Sequence, residues 1–491
     1  MIRKRLWNFL TKKIVSEKSI LQSHYFPCDS DLTSAMPIEN RYPGLKDCNL
    51  VVSKNTPLSE KMNATELKRL KLGFWLQKNI PLDKYQNPYT SDESSYPKDY
   101  EKMQPPPWKP EALDPNKTLS EIAIKGPFSH LTAKRDDGLW ELDVSNLENY
   151  KTENDYFDCG GKIILQEQSG SFNIDHIISF GEVIKPKDKS FPIAQKKFIS
   201  ALCSYSTLID HLVNCHLATC GAYAISFTEI LSAKHPLRII MHPTIVETFT
   251  VNDYQIDGLI LNEQSNVPIY TGYPLQTLNE MIKSYSKSFN LAMMDPIYLA
   301  KKNESYEHDS FKTVNSSIDI WSIMLKYYNS LCDLYFSEID TEVKIWIETI
   351  DRYIPNGVKD YLEISNFNEV RSNHLAKLLT LQAYTSSVKH FIVGTMTRNY
   401  FMFPKIFPSV IQKDTLSAPD GVAMLRTNSA TIAGISRYKL IDNSIPMPSK
   451  GGKKIQKKFF DELDSYSKSI IHDQDKNYMI DPNELLSSIH A

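Results

Sequence analysis

Residues 208–216, LIDHLVNCH, place two histidines five positions apart inside TLIDHLVNCHLATCGAYAI, a stretch that is almost wholly apolar or small. Five residues of α-helix turn through about 500°, leaving His211 and His216 about 140° apart around the axis. One wider, π-type turn brings i and i+5 to nearly the same face. Two buried rings with few polar neighbours need partners, which a metal ion would supply; structural hydrogen bonds to the core are the ordinary alternative. A second apolar helix, predicted over 372–402, carries His390 near its middle, a third candidate ligand. Three neutral imidazoles and a carboxylate around an open position suit non-haem iron, whose work is one-electron and dioxygen chemistry. Zinc on His211, Cys215 and Cys220 is a competing reading. Cys215 is one helical turn from His211, but Cys220 points elsewhere and no CxxC pair completes a tetrahedron. His235 and His242, in HPLRIIMHP, are expected to be structural.

Such a site needs rigid, water-excluding elements around it. Helical spacing of apolar residues predicts helices over 194–231, 274–290, 316–337, 340–352, 372–402 and 454–472, so the C-terminal three-fifths should be mostly α. Short apolar runs such as KIILQEQ and HIISFGEVI, punctuated by Gly, Asn and Asp, predict a small β region near 118–190. Between Pro81 and Pro115 stand eight prolines, which exclude regular elements and make 19–117 a wrapping segment. The first eighteen residues, MIRKRLWNFLTKKIVSEK, form a basic amphipathic pattern with Leu6, Leu10 and Ile14 on one face. That helix can lie on an anionic membrane surface as a peripheral contact, or dock on the protein body.

Composition narrows the function. A net charge of −2 over 491 residues gives no basic field, so no nucleic-acid partner is expected. No run approaches the roughly 18 apolar residues of a membrane span, and the N-terminus lacks a signal-peptide pattern, so a soluble, cytoplasmic chain is expected. The seven scattered cysteines predict reduced thiols. SKGGKK at 449–454 lacks the spacing of a phosphate loop, and serine-nucleophile and HExxH motifs are absent.

From about residue 118 to 491 the chain resembles the catalytic domain of the lipoxygenase family. His211-x4-His216 is similar to that family's first motif. HPLRIIMHPTIVETFTVN then keeps His235, Pro236, Pro243, Thr248 and Asn252 in phase with it. Trp321, Tyr335, Phe336, Asp340, Glu342 and Trp346 fall in register with its next helices, and DPNELLSSIHA resembles its C-terminal ending. The resemblance implies a mainly α-helical domain with iron held by His211, His216, His390 and the terminal carboxylate of Ala491. The length leaves no room for the N-terminal β-barrel domain of plant and animal members. It further implies that Leu259 clamps a polyunsaturated fatty acid or lipid, that hydrogen is abstracted from a bis-allylic CH₂, and that O₂ is inserted to give a hydroperoxide. Several positions depart from the pattern. Gly394 stands where a further weak ligand is usual, Gln255 where a small residue shapes the oxygen path, and Ile256 where Arg is common. The His216–His235 interval is four residues short. These departures leave a second reading, a lipoxygenase fold without oxygenase activity that binds lipid or protein.

Overall fold

The computed structural model describes residues 33–55, 115–246, 248–256, 260–261, 265–355, 357–401, 407–416, 439–441 and 447–489. The amphipathic segment 1–18, most of the Pro-rich segment, Leu259 and Ala491 lie outside the described residues.

The β region is a five-stranded antiparallel meander of Thr132–Lys134, Trp140–Asp143, Lys162–Gln168, Ser171–Ser179 and Glu182–Ile184. Its register shifts between Ile164 and Leu165, a bulge in the longest pairing. Ile163, Leu165, Leu142 and Ile177 are buried, and Trp140 packs against Phe172, Phe311 and His308. A helix the alternation did not announce, Pro115–Ile124, precedes the meander and packs on it through buried Leu119, Ile122 and Ala123.

The remainder is helical, close to the predicted boundaries. The first long helix runs through Phe191–Ser204, Tyr205–Gly221 and Ala222–Ile230, the middle part in π conformation. Lys312–Tyr335 packs along Ser372–Tyr384 and, on another side, along Lys450–Ile470. Trp321 meets Tyr384 edge-on at 5.3 Å. Thr341–Tyr353 starts at Asp340, whose carboxylate accepts from the Val343 amide as an N-cap. It lies on Ala222–Ile230, where Trp346 stacks on Phe227 and donates to the Ser226 hydroxyl at 3.1 Å. Trp346 thus braces the helix that carries His211 and His216, and Trp321 packs on the helix that carries His390.

Of the segment expected to wrap the domain, 33–55 is described. It forms a small hairpin, Ala35–Pro37 with Val51–Ser53, that packs on the same long helix. Arg41 pairs with Asp253 at 2.5 Å, tying the hairpin to the helix Thr248–Gln255. Among the described residues no helix is long and apolar enough to cross a membrane, and none of the six described cysteines forms a disulfide.

Candidate metal centre

The π conformation over Tyr205–Gly221 turns His211 and His216 to one side, as the spacing required. The 372–401 helix is likewise widened, over Thr385–Lys389 and Phe391–Met396, which the sequence did not signal. Hydroxyl side chains bond the backbone at both wide segments. Ser387 and Ser386 bond the Ala383 carbonyl, while Ser206 donates across to the Val393 carbonyl at 2.9 Å and so ties one wide segment to the other.

Between these segments the three imidazoles meet. Nε2 of His211 lies 2.9 Å from Nε2 of His390 and 3.1 Å from Nε2 of His216, and the remaining separation is 3.2 Å. His216 and His390 are buried and His211 is half-buried. His216 is oriented from behind: its Nδ1–H donates to the Asn252 amide oxygen at 2.8 Å, and the Asn252 amide donates back to the His216 carbonyl at 3.1 Å. That bond fixes the tautomer and leaves a lone pair at Nε2. Burial pushes the His216 pKa down to about 4 against the opposing pull of Asn252, so the ring is neutral near pH 7. Gly221 makes the bracing possible, because a Cβ there would stand 2.8 Å from the His216 carbonyl oxygen and 3.2 Å from the Asn252 amide nitrogen.

Three such contacts cannot all be ordinary hydrogen bonds. With its proton committed to Asn252, His216 can only accept at Nε2, and both neighbours would have to aim protons at one lone pair. A single cation satisfies all three nitrogens. An ion about 2.1 Å from three nitrogens at right angles holds them about 3.0 Å apart, whereas tetrahedral angles need about 3.4 Å. The observed 2.9 to 3.2 Å fits one face of an octahedron. Among the described residues, His211, His216 and His390 are the group that could hold a metal ion.

The zinc alternative fails on the same geometry. Cys215 and Cys220 are fully buried outside this group, and burial pushes both thiols well above their ordinary pKa, away from the thiolate that zinc requires. His235 is structural as expected: its ring caps Pro236–Ile245, pairs with Asp340 at 3.1 Å and stacks on Phe336. His242 is half-buried in that helix, outside the cluster.

Gly394 faces the centre. A Cβ built on it would lie 3.5 Å from His211 Nε2 and 3.9 Å from His390 Cε1, so a side chain here would start out beside those two rings. Ile256 is buried, and Gln255 closes the helix that carries Asn252. The tail through Ile489 enters the core. Ser386 donates to the Ser487 carbonyl at 3.1 Å, one turn before His390, and Ser488 donates to the Val246 carbonyl at 2.8 Å. Asn252 was legible in the sequence only as an in-phase residue, without a role.

No protein-family model matches this sequence, and no curated protein is similar to it at the level of sequence. Solved structures are. A coral 8R-lipoxygenase superposes with a TM-score of 0.77 at 14% identity, covering 94% of this chain and 79% of its own. A calcium-dependent 11R-lipoxygenase superposes with a TM-score of 0.78 at 14% identity, covering 98% and 80%. The fold is lipoxygenase-like. An anaerobic structure of a LOX variant in complex with arachidonate agrees, with a TM-score of 0.75 at 14% identity over 98% of this chain and 81% of that one.

Proposed function

We propose that this chain is a non-haem iron dioxygenase that inserts O₂ into a polyunsaturated fatty acid or lipid to give a hydroperoxide. One observation carries the reading: three imidazole nitrogens from two helices, up to 179 positions apart, converge to within 3.2 Å in a buried setting. The lipoxygenase-like fold supports it, and the neighbour solved with arachidonate supports the substrate class. His211, His216 and His390 would hold the iron, with the carboxylate of Ala491 as fourth ligand. Iron held there supplies the one-electron chemistry for removing hydrogen from a bis-allylic CH₂.

The chain's own residues do the rest. Asn252 holds the His216 lone pair on target, and the apolar flanks of both wide segments exclude water, which would otherwise compete for the reacting centre. Leu259, Gln255 and Ile256 are assigned to the substrate and oxygen side. For the basic segment 1–18 both sequence readings stand as proposals, peripheral contact with an anionic membrane and docking on the protein body.

Gly394 favours a second reading, a lipid- or protein-binding module that keeps the fold without oxygenation, because the position facing the rings offers no donor side chain. Elemental analysis of the untagged protein separates the two. About one iron per chain, with oxygen uptake and conjugated-diene formation on a polyunsaturated acid, is expected. A chain that takes up no iron on reconstitution and consumes no oxygen rejects the enzyme in favour of the module.

A further inference from the structure

Directly before His211 stands Asp210, and directly before His390 stands Lys389. Both are 5% exposed. Their side chains meet, Lys389 Nζ donating to Asp210 Oδ2 at 3.2 Å, and the same oxygen accepts from His130 Nε2 at 2.8 Å while Asn214 holds the other at 3.0 Å. His130 comes from the turn Ser129–Leu131, which is fastened to the body where Asn303 donates to the His130 carbonyl. A third part of the chain thus anchors the junction. Burial alone would raise the Asp210 pKa, but the Lys389 charge and the His130 and Asn214 bonds outweigh it, and the carboxyl is held well below its usual range.

Stability does not explain this pair. Removing two charges from water costs several kcal/mol each, and apolar residues of similar volume commonly serve as well or better. Register does explain it. A wide turn that slides past a residue, or is lost before it, shifts that residue by one position and so rotates its side chain by about 100°. Such a slip in either segment would swing His211 or His390 away from the common point. Apolar neighbours tolerate the slip because they pack with little directionality, whereas a buried ammonium and carboxylate tolerate one arrangement only.

We propose that Asp210 and Lys389 are positioning residues that form a register lock: their buried ion pair selects the helical registers that aim His211 and His390 at one point, and thereby sets metal affinity without touching the metal. The lock rests on the proposed metal centre.

Two double variants of the full chain test it, and neither buries a lone charge. Asp210→Leu/Lys389→Met removes both charges and loses direction, leaving His130 the Pro127 carbonyl 2.9 Å from its Nδ1. Asp210→Asn/Lys389→Gln keeps a directional hydrogen bond. Titration with Co(II), followed by its d–d absorption, is expected to show the Leu/Met protein binding about ten- to a hundredfold more weakly, with altered bands, although its metal-free form melts at or above the wild-type temperature. The Asn/Gln protein should recover most of the affinity and the wild-type spectrum. Wild-type affinity and spectrum in the Leu/Met protein would overturn the lock, as would an Asn/Gln protein that folds but binds no better than Leu/Met. Amide exchange on the metal-free proteins separates this outcome from failure of the metal reading. If wild type takes up no Co(II), the metal role is rejected. A register lock is then still read from protection over 205–221 and 385–396, which should fall in Leu/Met and persist in Asn/Gln; equal protection in both rejects the lock as well.

Discussion

The two wide helical segments face each other and are built differently. Tyr205–Gly221 carries two of the histidines and has the Asn252 brace behind His216, with Gly221 leaving room for it. Thr385–Met396 carries one histidine and, one turn on, Gly394 with nothing beyond its backbone. The first concentrates donors and the bonds that orient them. The second contributes a single donor and, at Gly394, leaves one side of the centre without a side chain. Two segments of the same unusual conformation thus differ, the donors and their bracing being concentrated in the first.

The strongest way to break this comparison is to remove a donor from each side. His216→Ala and His390→Ala should each abolish stoichiometric metal binding, whereas His242→Ala should leave it intact. Metal analysis after dialysis reads this, and full retention in either of the first two would sink the three-histidine assignment. Next in size is the brace. Asn252→Ala should weaken metal binding about ten- to a hundredfold by releasing the His216 ring, with the loss appearing mainly as faster metal dissociation.

A smaller effect belongs to the metal-free protein. The folded His216 ring stays neutral down to about pH 4, while in the unfolded chain it protonates below its ordinary 6.5. Between those values the unfolded state binds the extra proton, so stability should fall as pH drops through that window, by at most about 1.4 kcal/mol per pH unit. Urea titrations at several pH values measure it, and a slope unchanged in His216→Asn would remove His216 as its source. Smallest is the open side. Gly394→Asn adds a donor where a Cβ meets its neighbours at ordinary contact distance, and a few-fold gain in Co(II) affinity is expected, with a spectral shift toward higher coordination. No change in either would mean that position 394 does not reach the ion.

Much of the fold was legible because it is local. Apolar periodicity located six long helices to within a few residues, and the alternation in KIILQEQ and HIISFGEVI located strands of the meander. The helix Pro115–Ile124 was hidden by its neighbours, since a short apolar run before strands reads as another strand. At the site, His211-x4-His216 in an apolar helix could converge only through a wide turn, and that turn exists. The widening around His390 left no trace, because a single histidine imposes no spacing condition. Asp210 and Lys389 were visible as opposite charges, each beside a candidate ligand, but nothing in the order of residues says that positions 179 apart touch.

The sequence by itself therefore determined the helices, their apolar faces and the residue types able to bind a metal, all of which depend on neighbours within a turn or two. Only the tertiary structure decided that three nitrogens lie within 3.2 Å, that Asn252 stands behind one of them and that a buried ion pair joins the two segments. Convergence of that kind is set by how whole helices pack, and packing sums many weak, non-directional contacts across the chain that no local pattern encodes.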